Sequence, residues 1–143
     1  MGSGEDSKLS DLEEAWKERE LEAKVLKLAG HDSMALALRI YCVEIRLKTV
    51  ICQLLKLEFL PKPCKTHDLN VLIEFTGLWR ELNDPDNSGI KKNWDEIAKF
   101  SKVGPGNLRY LPGNFPSSSD ISKFEDALDN TKCGVWSWLS GLT

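Results

Sequence analysis

The stretch from Arg39 to Phe75 predicts two helices joined by a proline-containing connection, and it limits the chain to a helical core more strongly than any other stretch. The first of these helices, which follows the turn at residues 31–33, is apolar on two faces. One face carries Leu36, Ile40, Val43, Leu47, Val50, Ile51 and Leu54, and the other carries Leu38, Tyr41, Cys42, Ile45 and Cys52. Such a helix is typical of the centre of a bundle or of a subunit contact, so we predict that it forms the core.

An amphipathic helix is predicted before the core helix. Between Leu9 and Leu26 apolar residues recur with the three-four spacing of one helix face. Ser10 and Glu13 stand at the spacing of a capping box, and Gly30 is a typical residue for the end of a helix. We therefore predict a helix that starts at the capping box and ends before Gly30.

Pro61 and Pro63 predict the end of the core helix, because proline lacks a backbone N–H and disfavours helix in the residue before it. Thr66 is predicted to cap the next helix. The inner face of that helix is formed by Leu69, Leu72, Ile73, Thr76, Trp79 and Leu82.

The second half of the chain predicts two further helices on either side of a long loop. A short helix is predicted from Asn93 to Phe100, with Asn93 and Glu96 at capping spacing. Residues 101–119 are rich in Gly, Pro and Ser, and loops of that length are usually functional or disordered. The last helix begins near Asp120, and its inner face carries Ile121, Phe124, Leu128, Thr131, Val135 and Trp138.

These elements predict an all-α fold, an antiparallel up-and-down helical bundle of four main helices plus one short helix. Residues 1–8 are interpreted as a flexible N-terminus or a cloning remnant. Residues 9–143 are interpreted as a single domain, since 143 residues is close to the commonest domain size.

The composition excludes several classes of protein. The net charge of -3 gives no basic excess of the kind that general binding to nucleic-acid phosphates needs. No run of about 18 apolar residues predicts a membrane span. The four cysteines form no CxxC pair, which favours reduced thiols and a cytoplasmic location. No cofactor and no metal site is predicted.

Several polar residues stand at positions where they can carry chemistry. His67 and Asp68 open a helix, whose free N–H groups favour an anion, although each can instead serve only the helix start. Glu44 and Lys48 are one turn apart on the core helix. If both face inward they imply a buried polar network, and if both face outward they form an ordinary surface pair. Arg39 and Arg46 can belong to the same polar strip.

Arg109 and Tyr110 lie in the long loop, where binding residues are often placed. A guanidinium matches phosphate geometry, and a tyrosine ring offers a stacking face for a base. The alternative is an arginine that anchors the loop to backbone carbonyls or to a carboxylate such as Asp68 or Glu44. For Trp136 and Trp138, either one lies at a subunit or partner contact, or both cover the end of the bundle.

The order of these motifs resembles the HEPN family, the higher eukaryotes and prokaryotes nucleotide-binding domain. The corresponding segments are Glu44 to Lys48, Pro61 to Pro63, Thr66-His67-Asp68-Leu69, and Arg109-Tyr110-Leu111-Pro112 before a final helix over 120–139. The resemblance implies a helical homodimer with a link to nucleotides or RNA, and in some members a nucleotidyltransferase partner. The ribonuclease branch has an arginine four to six residues before a histidine. Neither histidine here has one, because Arg46 and Arg19 are the nearest arginines before His67 and His31.

We therefore expect a non-catalytic nucleotide- or polynucleotide-binding module, with a nucleotidyltransferase as its expected protein partner and no association with membranes. The predicted ligand-binding residues are Arg109, Tyr110, His67, Asp68, Glu44 and Lys48. Two alternatives are a ribonuclease toxin with a rearranged active site formed by His67, Arg109 and Tyr110, and a purely structural dimerisation or scaffold protein.

Overall fold

A computed structural model describes residues 7–100 and 117–141 of the chain. Within these two ranges the chain forms seven α-helices and no strand, which confirms the predicted all-α class. The helices are α1 (Leu9–Leu28), α2 (Asp32–Leu54), α3 (Leu69–Thr76), α4 (Trp79–Leu82), α5 (Ser88–Lys99), α6 (Ser118–Asp129) and α7 (Val135–Ser140). Short 3-10 turns occupy Lys62–Cys64 and Pro85–Asn87. None of the described helices is long and apolar enough to cross a membrane.

Helices α1 and α2 form an antiparallel hairpin. Near its open end the Gln53 side-chain amide donates to Glu13 Oε1 at 2.8 Å, and at mid-length the Arg46 guanidinium lies 4.5 Å from the centre of the Trp16 ring. The hairpin turns at Gly30, whose φ of 85° places it in the left-handed region as predicted for the end of α1.

The start of α1 differs from the prediction. Its N-cap is Lys8, which makes no side-chain capping bond, so the predicted capping box of Ser10 and Glu13 is wrong. The backbone supplies the missing partner, because the Leu9 N–H donates to the Glu58 carbonyl at 2.8 Å. The Leu60 N–H likewise donates to the Ser7 carbonyl at 2.8 Å. The beginning of α1 is therefore tied to the connection after α2.

The prolines do not end α2. The helix stops at Leu54, well before Pro61, and Lys56 adopts a left-handed φ of 54°. The Leu57 N–H donates to the Cys52 carbonyl at 2.8 Å, as in a Schellman motif, so the helix end is satisfied locally. Pro61 instead serves as the N-cap of the 3-10 turn.

The core helix occupies the centre of the fold as predicted. Its fully buried side chains include Val43, Leu47 and Ile51, whereas Leu54 at its end is exposed. The other elements add Leu60, Leu69, Leu72, Ile73, Leu82, Trp94, Ile97, Phe124, Leu128, Val135 and Leu139. The buried Trp94 indole donates to Asn70 Oδ1 at 3.0 Å, so its polar atom has a partner.

The later helices differ in their bounds from the prediction. The predicted helix over 69–82 is divided at Gly77, whose φ of 77° is left-handed. The predicted last helix is divided after Asp129, and Gly134 sits so close to the Asn130 backbone that no larger residue fits there. The short helix begins at Ser88 rather than Asn93, and Asn93 instead donates to the Cys133 carbonyl at 2.8 Å.

Candidate functional site

The site is built around Glu44, which lies on α2 with only 7% of its side chain exposed. Lys48, one helical turn later, places its Nζ 3.0 Å from Glu44 Oε2, and 12% of the lysine side chain is exposed. Both residues therefore face inward, as in the interpretation of a buried polar network. A buried carboxylate without a cation is costly, so each residue makes the burial of the other tolerable.

His67 reaches the same carboxylate from the connection before α3. Its Nδ1 lies 2.9 Å from Glu44 Oε1, so both carboxylate oxygens have a partner. This contact fixes the orientation of the imidazole ring against the carboxylate. The His67 side chain is 82% exposed, so solvent and solutes reach it freely. We call Glu44, Lys48 and His67 the Glu44 cluster.

Asp68, rather than the predicted Thr66, caps α3. Asp68 is the N-cap of α3, and its Oδ1 accepts from the backbone N–H groups of Asn70 at 3.0 Å and Val71 at 3.3 Å. Thr66 caps nothing in the helix, because its hydroxyl oxygen accepts from the Asp68 N–H at 3.2 Å. The prediction that Thr66 caps this helix is wrong. Asp68 is two residues closer to the helix, so its side chain reaches the free N–H groups of the first turn.

Lys65 belongs to the same segment and was not singled out from the sequence. Its Nζ is buried and has no hydrogen-bond partner among the described residues. A buried ammonium without a partner is unusual, because its desolvation is not offset. It stands two residues before His67, directly in front of the Thr-His-Asp-Leu motif. The only sequence signal was its position directly before that motif, since the burial of a lysine ammonium depends on tertiary packing.

Four further polar residues are candidates, from the sequence, for the same site as the Glu44 cluster. Arg109 and Tyr110 lie outside the described residues. Arg39 and Arg46 do not share one polar strip with it: Arg39 pairs with Asp129 at 2.7 Å, and Arg46 stacks on Trp16.

The two C-terminal tryptophans both pack against the core. Trp136 meets Trp16 edge to face, with ring centres 5.4 Å apart, and Trp138 is also partly buried. This geometry agrees with the alternative in which both cover the end of the helical core.

The buried cysteine thiols have low reactivity. All four cysteines are free, and three of them are buried. Burial raises the pKa of Cys42 to about 12, and it raises the pKa values of Cys52 and Cys64 as well. None of these three is a thiolate nucleophile at neutral pH. No group of His, Cys, Asp and Glu in the described ranges is arranged to hold a metal ion.

The Glu44 cluster can therefore orient an exposed imidazole and hold the Lys48 ammonium on the same carboxylate. Comparison with family models, curated proteins and solved structures finds no match to this chain.

Proposed function

We propose that this chain is a non-catalytic nucleotide- or polynucleotide-binding module of the HEPN type, acting beside a nucleotidyltransferase partner. The proposal starts from the resemblance in the motifs over 44–48, 61–69 and 109–112. It places the phosphate of the ligand at the segment 65–68, next to the Glu44 cluster.

The observation that carries the proposal is the unpartnered, buried ammonium of Lys65. The charge of Lys48 is offset by Glu44, whereas the charge of Lys65 has no counterion among the described side chains. A phosphate group supplies several strong acceptors and negative charge, and so it would satisfy Lys65 and the exposed ring of His67 together. Arg109 and Tyr110 are proposed to add a second phosphate contact and a stacking surface.

A structural role is the second candidate, and the saturation of Glu44 favours it. Both carboxylate oxygens already have partners, one on α2 and one on the connection before α3. The cluster can therefore hold α3 in register against α2 without any ligand. On this alternative the chain is a dimerisation or scaffold protein, and Lys65 contributes nothing to binding.

The experiment that separates them is a thermal-unfolding titration with ATP, GTP and a short single-stranded RNA. A ligand at 100 times its dissociation constant stabilises the protein by about 2.7 kcal/mol if it binds only the folded state. We expect a saturable rise in melting temperature that is lost in Lys65→Gln and reduced in Arg109→Ala. Lys92→Gln, which removes an exposed lysine from α5, is the matched control and should respond like the wild type.

A flat response of the wild type to all three ligands would reject nucleotide binding and leave the structural role. Equal responses of Lys65→Gln and wild type would show that the ligand does not bind at the segment 65–68. Incubation with RNA, using His67→Ala as control, tests the ribonuclease alternative in the same samples. RNA cleavage by the wild type that this variant lacks would make the chain an enzyme rather than a binding module.

A further inference from the structure

A groove separate from the Glu44 cluster lies between the second half of α1, the first half of α2 and the middle of α6. We call it the hairpin groove. It encloses about 320 Å³, at the lower end of the range for small-molecule sites. Its floor is apolar and buried, and consists of Ala23, Ala35, Leu36, Ile121 and Phe124. The two alanines leave the space that larger side chains would fill.

The carboxylates on the rim of this groove are already engaged. Lys27 Nζ lies 2.9 Å from Glu125 Oε1 and 3.7 Å from Asp32 Oδ1. The hydrogen bond to Glu125 raises the pKa of Lys27, so the lysine stays cationic and bound. An incoming ligand therefore meets no unpaired carboxylate among the groove residues.

The unsatisfied groups of the groove are donors. Arg39 uses Nη1 and Nη2 to hold Asp129, at 3.2 and 2.7 Å, while its Nε is buried and has no hydrogen-bond partner in the described part of the chain. Lys24 lies exposed on the rim, and no described residue pairs with it. An apolar floor below an unpaired ammonium and an unpaired N–H favours a ligand with an apolar body and an anionic head.

We propose that the hairpin groove binds amphipathic carboxylates, with the hydrocarbon chain on the apolar floor and the carboxylate between Lys24 and the Arg39 Nε. At roughly 30 Å³ for each water-sized group, the volume holds about ten heavy atoms. This is the size of an eight-carbon fatty acid.

Octanoate is the probe, measured by isothermal titration and by methyl spectra of the full chain. We expect saturable binding, with shifts confined to the methyl groups of Ala23, Ala35 and Ile121 and their neighbours. Acetate has the head without the chain, octylammonium has the chain with the opposite charge, and 1-octanol has the chain without charge. All three should bind far more weakly.

Two variants test the donors. Lys24→Gln should weaken octanoate binding about tenfold, because a charge-assisted hydrogen bond is stronger than a neutral one. Arg39→Lys removes the Nε–H donor and should weaken binding by a similar factor. Arg39→Lys keeps a cation for Asp129, so the fold is retained. Lys92→Gln and Lys65→Gln should bind octanoate like the wild type.

Three results would overturn the inference. One is the absence of octanoate binding at millimolar concentration, and another is equal binding of octanoate and octylammonium. The third is a loss of octanoate binding in Lys65→Gln, which would assign the ligand to the segment 65–68. The first two results leave the nucleotide proposal untouched, because its ligands are different. The third would place an anion on the segment 65–68, which is the segment that the nucleotide proposal uses.

Discussion

Removal of the Glu44 carboxylate should destabilise the fold more than any other single change in the cluster. In Glu44→Gln the ammonium of Lys48, which is only 12% exposed, loses its counterion. A hydrogen bond between charged groups contributes roughly 1.5–3 kcal/mol, whereas the bond to the largely exposed His67 contributes about 0.5 kcal/mol. We therefore expect a loss of about 2–3 kcal/mol.

For a chain of this size that loss lowers the melting temperature by roughly 6–12 °C. Chemical denaturation followed by circular dichroism gives the free energy of unfolding, and His67→Ala serves as the matched control with an expected loss of about 0.5 kcal/mol. The double variant Glu44→Leu with Lys48→Met removes both charges and should regain most of the stability, since a buried ion pair is often replaced by apolar residues at little cost.

Two outcomes would refute this reasoning. A loss below about 0.5 kcal/mol in Glu44→Gln, the level of an exposed ion pair, would mean that Lys48 reaches water without its partner. A double variant as unstable as the single one would mean that the pair stabilises by its geometry rather than by offsetting buried charge.

Three further predictions concern helix ends. Asp68→Ala should cost about 1 kcal/mol in unfolding free energy, and Thr66→Ala less than half of that, because Asp68 accepts the N–H groups of the first turn of α3; equal losses would restore Thr66 as the cap. Lys56→Gly should raise the free energy of unfolding by about 0.5–1 kcal/mol, since glycine adopts a left-handed φ without steric cost, and a loss would contradict the local geometry. Hydrogen bonds from Ser117 lower the pKa of Asp120 below its ordinary value of 3.8, so this contribution to stability is present above pH 3.8 and is lost as the pH falls through the lowered pKa. The stability difference between wild type and Asp120→Asn, measured by denaturation from pH 7 downward, should therefore shrink in acid, and a constant difference would contradict it.

Periodicity was sufficient for the core but not for the helix ends. Val43, Leu47 and Ile51 are buried because a helix that is apolar on two faces must pack both of them against other elements. The end of α2 depends on the left-handed φ of Lys56. Lysine rarely adopts this conformation, so the sequence does not predict it. Thr66 and Asp68 are both good caps and stand two residues apart, so the choice depends on the path of the incoming chain.

Glu44, Lys48 and His67 stand out in the sequence, but the contacts between them were not predictable from it. Glu44 and Lys48 lie on a helix that is apolar on two faces, so spacing alone does not say which way they face. His67 meets Glu44 across the whole connection between α2 and α3, a distance along the chain that local geometry cannot bridge. Lys65 escaped notice because a long, flexible side chain can end in water or in protein from the same backbone position.

The contact between Trp16 and Trp136 joins two ends of the chain that are synthesised at different times, which has a consequence for the nascent chain. Synthesis at roughly 5–20 residues per second separates the appearance of the two rings by on the order of ten seconds. During that interval α1 and α2 can already pair, while the indole of Trp16 lacks its contact with Trp136. Nascent chains that pause before α7 would therefore expose an aromatic surface on the finished hairpin, and this surface is where a chaperone would be expected to bind.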